Sequence, residues 1–198
     1  MLDIARSRAE TTDRQIDFLH ADALTHSFDM DYSLLFSRFG VMFFSDPVAG
    51  FRNLVTAMSE SGRLCFVCWR PAIENAWISV PMAAAMAHMP PMQQTDPRAP
   101  GPFAFADKDY VAGILDSAGY SEIEVDPVDQ ALTIGDSRDV DQAIEFYEHV
   151  GPLARLFADL EESTRAKALD AVREAVDPYL SDGGLTLGSA CWLVKARR

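Results

Sequence analysis

The fold is decided by residues 32–69, which read YSLLFSRFGVMFFSDPVAGFRNLVTAMSESGRLCFVCW. This stretch begins with an apolar run at residues 32–37, which predicts a buried parallel strand because both faces of the run are apolar. Asp46 and Pro47 then predict a helix start, since Asp is a favoured N-cap and proline suits the first helical position. Ser61 and Gly62 predict the end of that helix, and a second apolar run at residues 64–69 predicts another buried strand. Strand, helix and strand at this spacing indicate a parallel α/β unit.

Further elements are predicted on both sides of this unit. Residues 1–9 carry apolar side chains at helical spacing, and residues 16–20 alternate loosely before an acidic turn, so we expect a short helix and then a strand. The later part of the chain predicts, in order, a helix over 76–87, a helix from Asp107 to Gly119, a strand over 122–134 with a kink at Pro127, helices over 137–179 broken at Gly151 and Pro152, and a last strand over 185–196.

The composition is that of a globular protein with an acidic surface. Of 198 residues, 48% are hydrophobic and 24% are charged, which suits a single domain rather than a disordered chain. The net charge of −13 argues against nucleic-acid binding, because that binding requires a basic face. No apolar run has the length of a membrane span, and the three cysteines imply no disulfide framework. We therefore expect a cytoplasmic protein without a signal peptide.

Two insertions are expected within one domain over residues 1–198. The first, residues 71–106, combines a helix with a dense proline stretch, which predicts a long loop of the kind that forms lids. Methionines recur along it at three- to four-residue spacing, an arrangement that serves either plain packing or an apolar ligand. They are Met82, Met86, Met89 and Met92. The second, residues 137–180, is a helical insertion before the last strand.

Several segments occur in the order typical of one enzyme family. They are FLHADA at 18–23, YSLLFSRFGVMFF at 32–44, SGRLCFVCWR at 61–70, ENAW at 74–77, GPFAF at 101–105 and WLV at 192–194. Over essentially its whole length the chain resembles the class I S-adenosylmethionine-dependent methyltransferases, of the small-molecule type near the ubiquinone/menaquinone methyltransferases. The resemblance implies a Rossmann-like α/β sheet in the order 3-2-1-4-5-7-6, mostly parallel with an antiparallel C-terminal strand.

The chain departs from this family near its N-terminus. The family begins with a strand and a G-x-G-x-G loop that approaches the cofactor, but no G-x-G triplet occurs in this sequence. Residues 1–6 resemble the helix after the family's second strand, which implies an N-terminally truncated member, or a Met1 that is an internal methionine of a longer enzyme. Residues 16–20 and 32–37 match strands 3 and 4. We expect them either to pair directly or to leave an edge that a second chain covers by self-association.

The resemblance assigns cofactor-binding residues to two segments. Asp22 and Ala23 match the positions that hold the adenine ring, although Asp22 by itself is equally typical of an Asx turn. A second set lies at the end of the apolar run at 32–37, at the edge where open α/β sheets bind ligands. It consists of Ser37, Arg38, Phe39 and Gly40. The implied cofactor is S-adenosylmethionine, and without the glycine loop we expect weak binding or none.

The remaining candidates concern the substrate and other chemistries. The substrate-binding residues implied for a small acceptor are Phe43, Trp69, Trp77 and Met82. Cys65 and Cys68 have C-x-x-C spacing, but within a strand this places them on opposite faces, which favours two buried thiols over a redox or zinc site. The histidines lack metal-ligand spacing, so no metal is expected, and His20 or His26 is a candidate base only.

Two functions remain open at this point. The first is methyl transfer from S-adenosylmethionine to an oxygen, nitrogen or carbon of a small, apolar acceptor. The second is a catalytically inactive methyltransferase-like protein that acts by binding or interaction.

Overall fold

The computed structural model describes residues 2–12, 15–29, 31–91, 96–135, 139–158 and 160–198. Its strands are β1 (Tyr32–Arg38), β2 (Met58–Trp69), β3 (Ser121–Ile134), β4 (Leu180–Ser181) and β5 (Gly184–Arg197). Its helices are α1 (Leu2–Ala9), α2 (Pro47–Thr56), α3 (Ala76–Met86), α4 (Lys108–Ala118), α5 (Val140–His149), α6 (Gly151–Ala158) and α7 (Glu162–Val176). Short 3₁₀ turns cover Val41–Phe43, Ala72–Glu74 and Asp177–Tyr179.

The strands form one sheet in the order β1-β2-β5-β3, with β4 paired to the start of β5. β1 is parallel to β2, while β5 is antiparallel to both β2 and β3. Consequently β1, β2 and β3 run in one direction and β5 runs the opposite way between β2 and β3. This confirms the predicted α/β sheet with an antiparallel C-terminal strand, and the order equals the 4-5-7-6 part of the implied arrangement.

The boundaries of the central unit differ from the prediction in one place. The helix and both strands form, but β2 begins at Met58, so residues 61–62 lie inside a strand and do not end the helix. Gly62 permits this because the chain passes very close to it: a Cβ there would lie 2.8 Å from the carbonyl oxygen of Ser59. The strand is therefore longer than its apolar part, since a glycine fits where a side chain would clash.

The N-terminal region contains a wrong prediction. Residues 16–20 form no strand, and the direct pairing of this segment with residues 32–37 is absent from the described part of the chain. Ile16 and Leu19 are 49% and 60% exposed, so the segment has neither a strand partner nor a buried face. The predicted first helix does form as α1, although Met1 lies outside the described residues.

The prediction that residues 32–37 are buried is also wrong. Leu35 packs against the core, but Leu34 is 47% and Phe36 68% exposed on the other face of β1. The pairing register places Leu34 opposite Arg63 and Phe36 opposite Cys65. We call this side of the sheet the exposed face; a shallow groove of about 410 Å³ runs along it.

The core has two parts that meet near the end of β2. The first lies between α2, α4 and the covered face of the sheet, with Phe51 and Phe66 fully buried at its centre. The second lies between α3, the helices α5–α7 and the start of β5, with Tyr147 fully buried. The Tyr147 hydroxyl donates to the backbone oxygen of Trp77 at 2.9 Å, which ties α5 to α3. The helices after β3 therefore form a lobe beside the sheet.

Candidate functional site

The chain turns sharply where β1 ends. Phe39 adopts a positive φ of 56°, which is uncommon for a bulky residue and is often found at functional sites. Its backbone N–H donates to the backbone oxygen of Val67 at 3.1 Å, and the backbone N–H of Gly40 donates to the Ser37 hydroxyl at 3.3 Å. A Cβ on Gly40 would lie 3.1 Å from that hydroxyl oxygen, so a small residue suits this position. The turn directs the chain into the 3₁₀ helix Val41–Phe43.

Three aromatic rings lie in contact above the ends of β1 and β2. Phe39 stacks on Trp69 with 4.1 Å between ring centroids and an interplanar angle of 11°. Trp69 in turn contacts Trp77 at 5.0 Å. We call these three residues the aromatic stack. It joins the turn after β1, the end of β2 and the start of α3 into one apolar surface.

Asn75 holds this surface in place. The residue is fully buried, and its side-chain oxygen accepts from the Trp77 indole N–H at 3.2 Å and from the Ala190 backbone N–H at 2.8 Å. Its amide group donates to the backbone oxygens of Arg70 and Pro71 at 3.1 and 3.2 Å. A buried amide with both ends satisfied fixes the orientation of Trp77 relative to β5.

A mainly apolar groove lies beside the aromatic stack. It has a volume of about 610 Å³ and is lined by Phe43 and Met82 from one side and by the junction of α5 and α6 from the other. Gly151 at that junction is close to the stack, since a Cβ there would lie 3.9 Å from the Trp77 ring. The N–H of Gly101 donates to the backbone oxygen of Met42 at 3.2 Å, which holds the loop before α4 against the 3₁₀ helix. We call this cavity the apolar groove.

Asp22 and Ala23 lie in a separate turn beside α2. Asp22 Oδ1 accepts from the Leu24 N–H at 2.9 Å, the Asx turn anticipated as the structural alternative. The Asn53 side chain of α2 donates to the backbone oxygens of Ala23 and His26 at 2.9 and 2.8 Å and so anchors the turn. No hydrogen bond or ring contact joins this turn to residues 37–40 among the described residues.

The structure thus brings together part of the predicted set. Ser37 and Gly40 share a hydrogen bond, Phe39, Trp69 and Trp77 form the aromatic stack, and Phe43 and Met82 line the apolar groove. Arg38 is exposed at the end of β1. Of the methionine stripe, Met86 is 45% exposed, and Met92 lies outside the described residues.

Three residues with a place in this site were not predicted. Asn75 fixes Trp77, and His149 and Arg155 line the apolar groove. Asn75 belongs to the ENAW segment at 74–77, but no sequence pattern marks its contact with β5. His149 and Arg155 come from the helical lobe, and only the fold places them opposite Phe43 and Met82.

The cysteines and histidines show no metal or disulfide arrangement in the described part of the chain. Cys68 is buried, and burial together with the nearby Cys191 raises its pKa from the ordinary value of 9.0 to about 12. Cys65 is half-buried on the exposed face, so the prediction that both thiols are buried is wrong for this residue, although the two do lie on opposite faces of β2. Among the described helices, none combines the length and apolarity that crossing a membrane requires.

Comparison with known proteins supports the architecture. No family model matches the sequence, and no curated protein is significantly similar to it. The structure is similar to that of a candidate methyltransferase from Bacillus halodurans, with 16% identity over 99% of this chain and 78% of that one and a TM-score of 0.55. It is also similar to the YcgJ protein from Bacillus subtilis, with 13% identity over 100% and 78% of the two chains and a TM-score of 0.54.

The chain has the class I methyltransferase fold. An S-adenosylmethionine-dependent methyltransferase from Mesorhizobium loti is a more distant neighbour, with 17% identity over 98% and 75% of the two chains and a TM-score of 0.43. Open α/β sheets bind ligands beyond the carboxyl ends of their parallel strands. In this class I methyltransferase fold the aromatic stack lies at that edge, since Phe39 and Trp69 stand at the ends of β1 and β2, and the apolar groove lies beside the stack.

Proposed function

We propose that this chain takes part in methyl transfer from S-adenosylmethionine to a small, apolar acceptor. The observation that carries the proposal is the proximity of the apolar groove to the aromatic stack at the ends of β1 and β2: a Cβ on Gly151, which lines the groove, would lie 3.9 Å from the Trp77 ring. Ligand cavities of this kind are mostly apolar, with a few polar groups that fix the ligand's orientation. The fold supplies the same edge of the sheet that ligands occupy in open α/β proteins.

Asp22 and Ala23, which we assign to the adenine ring, offer a hydrogen-bond acceptor and a donor that match the ring's polar groups. Asp22 is exposed, and its Oδ2 has no hydrogen-bond partner among the described residues, so it is available to a ring amino group. The Ala23 backbone N–H is likewise unpaired within the described part of the chain and is available to a ring nitrogen. Asn53 keeps both groups in place by holding the turn to α2. When bound, S-adenosylmethionine would supply a methyl group on a positively charged sulfur.

The acceptor is assigned to the apolar groove. Phe43 and Met82 would exclude water from the acceptor and position it, which accounts for much of the work in a bimolecular transfer. We assign the lid role to residues 71–106 and a supporting role to the helical insertion 137–180. Residues 92–95, 136–138 and 159 of these segments lie outside the described structure. Met82 and Pro102 of the first segment do line the groove.

Calorimetric titration with S-adenosylmethionine tests the proposal. Asp22→Ala should weaken binding by about 1–3 kcal/mol, roughly fivefold to 150-fold, because an adenine amino group loses its acceptor. Asp17→Ala is the matched control, since Asp17 is an exposed carboxylate in the same region. Equal affinities for the two variants would remove Asp22 from the site.

A second candidate is a catalytically inactive protein of the same fold that acts through protein contacts. It is favoured by Leu34 and Phe36, which are exposed on the edge strand β1, because exposed apolar strands recruit other chains. No heat in the S-adenosylmethionine titration, together with association at micromolar concentration, would support this function over methyl transfer.

A further inference from the structure

The apolar groove contains an arginine that has no ion-pair partner within the described part of the chain. The helical lobe has two other arginines in ion pairs: Arg165 contacts Glu148 at 2.7 Å, and Arg173 contacts Asp141. Arg155 of α6 lines the groove and has no carboxylate partner among the described residues. Arg155 is exposed, and no carboxylate among the described residues lines the groove, so its guanidinium is available to an anion that enters the groove.

A hydrogen-bond acceptor lies in the same groove. The ring of His149, the last residue of α5, makes a hydrogen bond of 2.8 Å from Nδ1 to the backbone oxygen of Glu145. Because a carbonyl only accepts, Nδ1 carries the proton of this bond, and Nε2 of the neutral ring is left as an acceptor. Gly151, with a φ of 83°, reverses the chain between α5 and α6, so that His149 and Arg155 line one cavity.

We propose that the apolar groove binds a small apolar acid. The apolar part of the ligand would contact Phe43 and Met82, its anionic group would pair with Arg155, and a hydroxyl or amine on it would donate to His149 Nε2. The proposal that an acid binds here rests on the residues that line the groove and does not depend on the proposed function. Only the statement that this acid is the methyl acceptor rests on the proposed function.

Two dyes that differ by one charge test the site. They are 1-anilinonaphthalene-8-sulfonate and its uncharged parent N-phenyl-1-naphthylamine, titrated by fluorescence without S-adenosylmethionine. Arg155→Met should weaken binding of the sulfonate about tenfold, because a charge-assisted hydrogen bond is lost, and should leave the uncharged dye unchanged. Arg155→Lys should retain most of the sulfonate affinity. Arg155 is exposed, so the variants should fold, which circular dichroism confirms.

The exposed face supplies the matched control. Arg63 stands opposite Leu34 on that face and lines its groove, but Glu122 and Glu124 line the same groove, so an anion there meets carboxylates as well as cations. Arg63→Met should leave both dye affinities unchanged. Loss of sulfonate binding in Arg63→Met but not in Arg155→Met would overturn the proposal, as would an equal loss of both dyes in Arg155→Met. Because no cofactor is present, these outcomes are independent of the S-adenosylmethionine titration.

Discussion

The hydrogen bonds of Asn75 predict a large effect of one substitution on stability. Asn75→Leu keeps the approximate size of the side chain and removes its amide. Leucine also excludes water from the site, so no solvent molecule replaces the lost bonds. Two buried donors then lose their acceptor: the Trp77 indole N–H and the Ala190 backbone N–H. The backbone oxygens of Arg70 and Pro71 lose a donor as well.

The magnitude follows from the two donors. An unsatisfied buried donor costs about 1–3 kcal/mol, so the pair costs about 2–6 kcal/mol. The apolar leucine side chain gains about 1.5–2 kcal/mol from burial, which offsets part of that loss. We therefore expect Asn75→Leu to lower the free energy of unfolding by about 2 kcal/mol, the difference between the middle values of the loss and the gain. That is a large part of the stability of an ordinary domain.

Urea unfolding followed by tryptophan fluorescence and far-UV circular dichroism measures this change. Near-UV circular dichroism supplies a second readout, because Trp77 loses the partner that fixes its ring. We expect a changed near-UV spectrum in the folded variant, together with a lower midpoint and an unchanged m value.

Asn53→Leu is the control for this experiment. Asn53 also makes two side-chain hydrogen bonds, but it is half-buried and donates to the backbone oxygens of Ala23 and His26, which water can reach. Its loss should cost no more than about 1.5 kcal/mol. If Asn75→Leu costs less than about 1 kcal/mol, or no more than Asn53→Leu, then the Asn75 network does not hold Trp77 as argued.

Three further predictions concern the scaffold. Gly119→Ala should lower the free energy of unfolding by about 1 kcal/mol, because Gly119 has a φ of 97° that alanine adopts only with strain. Gly113→Ala should raise it by about 0.5–1 kcal/mol, because Gly113 lies inside α4 with open space around it; urea unfolding measures both changes. Burial favours the protonated Cys68 thiol, so the free energy of unfolding should fall as pH rises from 9.0 towards 12, with a shallower slope in Cys68→Ala. Phe36→Lys should reduce association measured by light scattering; Ile73→Lys, at a still more exposed site elsewhere, should not.

The starts of α2 and α4 and the end of α4 were predictable from the sequence because their signals are local. Asp46 accepts from the Ala49 N–H at 2.9 Å, and Asp107 accepts from the N–H groups of Asp109 and Tyr110, as expected of N-caps. Gly119 ends α4 in the left-handed conformation. Each of these signals spans a few residues, so the remainder of the fold is not needed to interpret it.

The apolar groove could be predicted only in part. Phe43 and Met82 were assigned through the family resemblance, and both line it. The opposite wall, with His149 and Arg155, comes from the insertion before the last strand, and its position depends on the contact of α5 with α3. Nothing in the spacing of those residues along the chain indicates that contact.

The strand predictions show why local apolarity is a weaker signal than a helix cap. Residues 16–20 and 32–37 have similar apolar content, yet only the second segment becomes a strand. β1 has a parallel partner in β2 for its backbone and a core contact for Leu35. Residues 16–20 have neither among the described residues, and Ile16 and Leu19 remain exposed. A strand forms where its backbone groups find a partner and one face finds a core, and both conditions are set by distant parts of the chain.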